Sequence, residues 1–120
     1  MYEVHFYVDK QGRQPVKEDL MALRDISKTN KKARMQYEII LAYIRSLEMY
    51  GTKISDSVIK YIGDGMWELK PMPHQIFLFC QKDNKFILIH HFVQKARAIP
   101  IKEMAQAQSN LQDFKERTKR

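Results

Sequence analysis

Six cationic or imidazole side chains crowd the second half of this 120-residue chain: Lys70, His74, His90, His91, Lys95 and Arg97. That inventory suits cleavage of a phosphodiester without a metal. A base must take the proton of a ribose 2′-hydroxyl, cations must stabilise the charge growing on the phosphorus oxygens, and an acid must protonate the leaving 5′-oxygen. Histidine serves either proton-transfer role near neutral pH. His74 follows Pro71-Met72-Pro73 at a loop-to-strand junction, a place where functional side chains collect. His90 and His91 are adjacent in a strand-like run, so they point to opposite faces and cannot chelate together. One of the two must face inward, where a hydrogen-bonded core histidine is the ordinary outcome. His5 reads only as an exposed strand position.

Other chemistries find little in the pattern. There is one cysteine and no histidine pair at helical metal-ligand spacing, so neither a metal nor another cofactor is expected. Gly63-Asp64-Gly65 reads as a hairpin turn and not as a phosphate cradle. Cys80 sits inside the apolar run Ile76 to Cys80, where a buried thiol is expected, and a lone cysteine fits a reducing cytosol. Lys and Arg number 21 against 14 Asp and Glu, a formal net charge of +7. The cations cluster at Lys28, Lys31, Lys32 and Arg34, then at Lys70, Lys82, Lys85, Lys95, Arg97 and Lys102, then in the tail. Such a balance points to an anionic partner, nucleic acid or an acidic protein. No basic amphipathic segment is free of core duties, so a membrane surface is not expected.

The elements that must hold these residues follow from periodicity. Tyr2 to Val8 alternates as a strand with Tyr2, Val4, Phe6 and Val8 on one face and Glu3, His5 and Tyr7 on the other, and Pro15 opens a short helix with Val16, Leu20 and Leu23 at helical spacing. Thr29 or Asn30 can cap a longer helix whose core stripe is Ala33, Tyr37, Ile40, Ile44 and Leu47, ended by Gly51. Val58 to Ile62 and Met66 to Lys70 read as a hairpin, followed by strands Ile76 to Gln81 and Phe86 to Val93 joined through Asp83-Asn84. The last two are apolar on both faces, as in a sheet covered on both sides. A final helix opens at Pro100, with Ile101, Met104, Ala105, Gln108 and Leu111 as its expected stripe. The last four or five residues, with Arg117, Lys119 and Arg120, are expected to fray. Area scaling for 14.3 kDa leaves roughly two thirds of the extended chain's surface buried, enough for one core in a single domain over 1–120.

Three stretches resemble one family, in order, over nearly the whole chain. Glu3-Val-His-Phe-Tyr7 with Gly12 and Pro15-Val16 looks like the start of phage-derived HigB-type toxins of the RelE superfamily. Gly65-Met-Trp-Glu-Leu-Lys-Pro71 resembles their W-E-L-[RK] strand, and Phe92-Val-Gln-Lys95 with Pro100 and Glu103 through Ala107 resembles F-x-K-K followed by P-x-x-E-[IM] and an Ala-rich helix. The resemblance implies an α+β, RelE-like fold: a small antiparallel sheet of about four or five strands, two N-terminal helices and a C-terminal helix. It implies a cytoplasmic, metal-independent endoribonuclease that cleaves mRNA, often on the ribosome. It further implies neutralisation by a HigA-type helix-turn-helix antitoxin, with DNA met only through that complex.

Position by position, Lys70 matches the basic residue closing W-E-L-[RK], and Lys95 the second lysine of F-x-K-K; both would hold phosphate. His74-Gln75 stands where relatives often open the next strand with arginine, Gln94 replaces a common lysine, and Ala96 a frequent Thr or Ser. The missing arginine leaves either a weaker enzyme or, as favoured here, one in which His74 and Arg97 take over its role, with His90 or His91 in proton transfer. Gln75, His91, Gln94 and Lys102 would contact RNA, and Lys28, Lys31 and Lys32 would make wider contacts to ribosomal RNA or to an acidic antitoxin. The competing reading is a basic RNA-binding or regulatory module that keeps the antitoxin interface without catalysis.

Overall fold

A computed structural model describes residues 1–118. The elements run β1 (Glu3–Phe6), α1 (Pro15–Ser27), α2 (Lys31–Tyr50), β2 (Ile59–Gly63), β3 (Met66–Leu69), β4 (His74–Gln81), β5 (Lys85–Val93) and α3 (Ile101–Arg117). Five strands form one sheet in the order β1-β5-β4-β3-β2, giving an α+β fold compatible with a RelE-like one. Strands β2 to β5 form an antiparallel meander, whereas β1 lies parallel to β5 with Glu3 opposite Lys85 and Phe6 opposite Leu88. The sheet is therefore mixed, and not wholly antiparallel as the resemblance implied. Short turns fix the direction of each meander strand, but α1 and α2 intervene after β1, so no hairpin constrains it.

Local signals account for the element ends. Pro15 occupies the first turn of α1, where its missing N–H costs nothing. The Asn30 side chain accepts from the Ala33 N–H at 2.9 Å and starts α2, and Gly51, at φ 62°, ends it with its N–H on Leu47 O at 2.8 Å. A Cβ on Gly51 would stand 2.6 Å from the Tyr2 ring, so this position needs glycine for space as well as for backbone angle. Asp83 and Asn84 take φ of 69° and 61° and turn β4 into β5.

Two apolar layers lie on opposite faces of the sheet. Val16 and Leu20 of α1 with Ile40 and Leu47 of α2 pack on Ile59, Leu69, Ile76, Leu78, Phe86 and Leu88. On the other face Ala107 and Leu111 of α3, with Met104 and Phe114 beside them, pack on Met66, Phe77, Ile87, Ile89 and Phe92. Burying Phe77 or Phe86 contributes roughly 1.5–3 kcal/mol each. The inward stripe of α3 thus differs from the expected one: Ile101 is 87% exposed, and Ala105 and Gln108 face outward. Met104 and Leu111 of the expected stripe do face the sheet, joined by Ala107 and, beyond the expected stripe, Phe114.

Two more expectations are corrected. Cys80 is exposed, because β3 ends opposite Phe79 and leaves Cys80 without a β3 neighbour. Arg117 does not fray: it donates to Asp113 Oδ2 at 2.7 Å and to Val8 O, while Tyr7 Oη donates to the same Asp113 oxygen at 2.6 Å. Burial first, then Asp113, pushes the Tyr7 hydroxyl up to about 12. Lys119 and Arg120, expected to fray with it, lie outside the described residues. Among the described residues no helix is long and apolar enough to cross a membrane.

Candidate active site

Alternation along the strands assigns each polar side chain to a face. Lys60 pairs with Glu68, Glu68 with Phe77, and Phe77 with His90, so these four form one row across β2, β3, β4 and β5 on the α3 side. Lys70 lies two residues beyond Glu68 on the same face, held by its N–H on Val58 O at 2.9 Å, next to the Gln75–Phe92 pair. Helix α3 packs mainly over β5, and its Ala107 and Leu111 also cover Met66 and Phe77, so Glu68 is buried while Lys60 is exposed and Lys70 partly so. The helix supplies Glu103, whose Oε1 lies 2.8 Å from His90 Nε2, while the His90 ring stacks on Phe92 with centroids 5.9 Å apart.

The electrostatics of the row are set by Glu68. It is 6% exposed, and burial raises its carboxyl above the ordinary carboxylate range, opposed by the ammonium groups of Lys70 and Lys60. A desolvated carboxyl between two lysines is a proton acceptor whose affinity sits closer to neutrality than that of a surface glutamate. Gln75 is 98% buried in the sense that only 2% of it is exposed; its amide donates to Gln94 Oε1 and its own Oε1 has no partner. Gln94 in turn donates to the carbonyl of Arg97 at 2.8 Å and fixes the strand exit.

The remaining histidines lie on the opposite face. His74 Nδ1 is 3.0 Å from His91 Nε2, His74 Nε2 is 2.8 Å from Gln36 Oε1 on α2, and His91 Nδ1 is 2.9 Å from Asp19 Oδ2 on α1. With the Gln36 oxygen toward it, His74 donates from Nε2 and accepts at Nδ1 from the His91 Nε2–H, which fits a neutral His74 ring. Burial, then His91, holds the His74 imidazole below its ordinary value. The chain Gln36–His74–His91–Asp19 thus ties both N-terminal helices to the sheet. A cavity of about 380 Å³ beside β5, past the end of β1, reaches both His90 and His91.

The structure therefore brings together Lys70, Gln75, His90 and Gln94 on one face and places His74 and His91 on the other. Lys95 and Arg97 are exposed on the connection after β5, at the same end of the sheet as Lys70, and Lys102 is exposed in the first turn of α3. Lys28, Lys31 and Lys32 are exposed where α1 passes into α2; Lys28 meets Asp25 at 3.5 Å. Sequence reasoning missed Lys60, Glu68 and Glu103. The period of two in Trp67-Glu68-Leu69-Lys70 was the available signal, since it puts Glu68 and Lys70 on one face.

Residues 16–112 match the family described as phage derived protein Gp49-like (DUF891). No curated protein matches the chain.

Proposed function

Because the chain belongs to the Gp49-like family of phage-derived proteins, a RelE/toxin-like family, we propose that it is a HigB-type toxin of a type II toxin–antitoxin system, cleaving mRNA in the cytoplasm without a metal. The observation that carries the enzymatic part is the row Lys60–Glu68–Phe77–His90 with Lys70 beside it. Glu68 takes the 2′-hydroxyl proton and Lys60 and Lys70 hold the phosphoryl oxygens. His90, fixed by Glu103, protonates the leaving 5′-oxygen. Two strand spacings put about 10 Å between the Glu68 and His90 backbones.

Lys95 and Arg97 at the strand exit hold flanking phosphates, with Gln75, Gln94 and Lys102 as further RNA contacts; Lys28, Lys31 and Lys32 dock on ribosomal RNA. His74 and His91 act through the sheet, by holding α1 and α2, and do not touch RNA in this reading. A HigA-type helix-turn-helix antitoxin neutralises the toxin and carries the complex to DNA. Primer extension after induction is the test: new mRNA 5′ ends with 5′-hydroxyl groups appear with the wild type and vanish with Glu68→Gln or Lys70→Ala. RNA binding with no cuts, ribosomes present, would instead establish the catalytically silent module.

A further inference from the structure

Helix α2 carries a second stripe, of apolar and small residues, that the fold does not use. Met35, Ile39, Ala42, Ser46 and Met49 recur in steps of four, three, four and three, on the side of the helix opposite the core stripe Ala33, Ile40 and Leu47. Met35, Ile39 and Met49 are 55%, 42% and 50% exposed. A single exposed apolar residue is ordinary, but a four-turn stripe in heptad spacing has the periodicity of a seam for another helix. It is about 21 Å long and would accept roughly fifteen residues of a partner helix.

Charge selects the occupant. Lys31, Lys32, Arg34 and Arg45 border the stripe, and Glu38 is the one acid among the exposed residues beside it. A second copy of this chain is disfavoured: parallel pairing would set each cation against itself, and antiparallel pairing centred on Ala42 would match Glu38 with Arg45 but leave Lys31, Lys32 and Arg34 of each copy without an acid on this face. We infer that the outward face of α2 is a docking surface for an amphipathic helix with an apolar seam and acidic flanks. The α1–α2 layer covers the sheet face opposite the Lys60–Glu68–His90 row, so such a partner would leave that row uncovered. The inference does not depend on ribonuclease activity.

The test uses the full chain and two designed helical peptides of about 18 residues, each with Leu at heptad seam positions, one flanked by Glu and the other by Lys. Light scattering of the chain alone should give a monomer, and fluorescence anisotropy should show binding of the Glu-flanked peptide only. Ile39→Ser and, separately, Met35→Ser should weaken that binding about tenfold or more while circular dichroism and melting temperature stay as in the wild type. Arg34→Glu should weaken it further at low salt than at high salt. A dimer that Ile39→Ser dissolves would assign the face to a second copy. Equal binding of both peptides, no binding of the Glu-flanked one, or indifference to both serine substitutions would each overturn the acidic-helix reading.

Discussion

Glu68 carries opposing demands. Burial raises the affinity of the folded Glu68 carboxyl for its proton, so stability falls as pH rises from the ordinary carboxylate value through the raised one. Glu68→Gln should therefore raise the melting temperature at pH 7 while lowering cleavage by about 10²-fold or more, a pairing read from thermal melts and 5′-end mapping of one preparation. His74 shifts in the other direction. Burial and His91 hold it neutral in the fold, so its contribution is full above its ordinary 6.5 and shrinks as pH drops below that value. Melting temperature should decline from pH 7.5 to pH 5, and His74→Asn should flatten that slope while costing about 1–3 kcal/mol at pH 7.5 from the unpaired Gln36 and His91 groups. A cleavage defect in His74→Asn larger than its loss of folded protein would place the ring in the chemistry after all.

At the scale of elements, caps and turns were readable because each rests on neighbours in sequence. Asn30, Gly51, Pro15 and the Asp83-Asn84 turn all hold, and Asn30→Ala should cost about 1 kcal/mol in denaturant unfolding. Gly51→Ala should cost more than that cap, since its methyl group meets the Tyr2 ring as well as a left-handed backbone angle. What periodicity could not supply was which residues of a helix meet the sheet. Ile101, Ala105 and Gln108 of the expected α3 stripe face outward, and Cys80 was exposed because β3 is shorter than β4. The site was legible in type but not in grouping. Lys70 and His90 were found as cations and imidazoles, yet only the register Glu68–Phe77–His90 joins them, and register is a long-range property. Reading the histidines by proximity to prolines favoured His74, whose real partners come from α2 and β5.

For the whole molecule, the excess of seven positive charges is spread over both faces, with Lys60 and Lys70 on one and Lys31, Lys32, Arg34 and Arg45 on the helical layer. RNA affinity should fall steeply with salt, and Lys60→Ala and Lys70→Ala should each flatten the log–log slope by about 0.7, the value for one phosphate of a single strand. An unchanged slope in both variants would move the RNA off this face. The parallel strand β1 adds a consequence in time. The first strand to be synthesised pairs only with β5, and Glu103, which fixes His90, is later still. At about 5–20 residues per second, the N-terminal strand waits several seconds for its neighbour. During synthesis β1 therefore stays without its sheet neighbour until β5 has been made, and His90 without its Glu103 partner until α3 has begun.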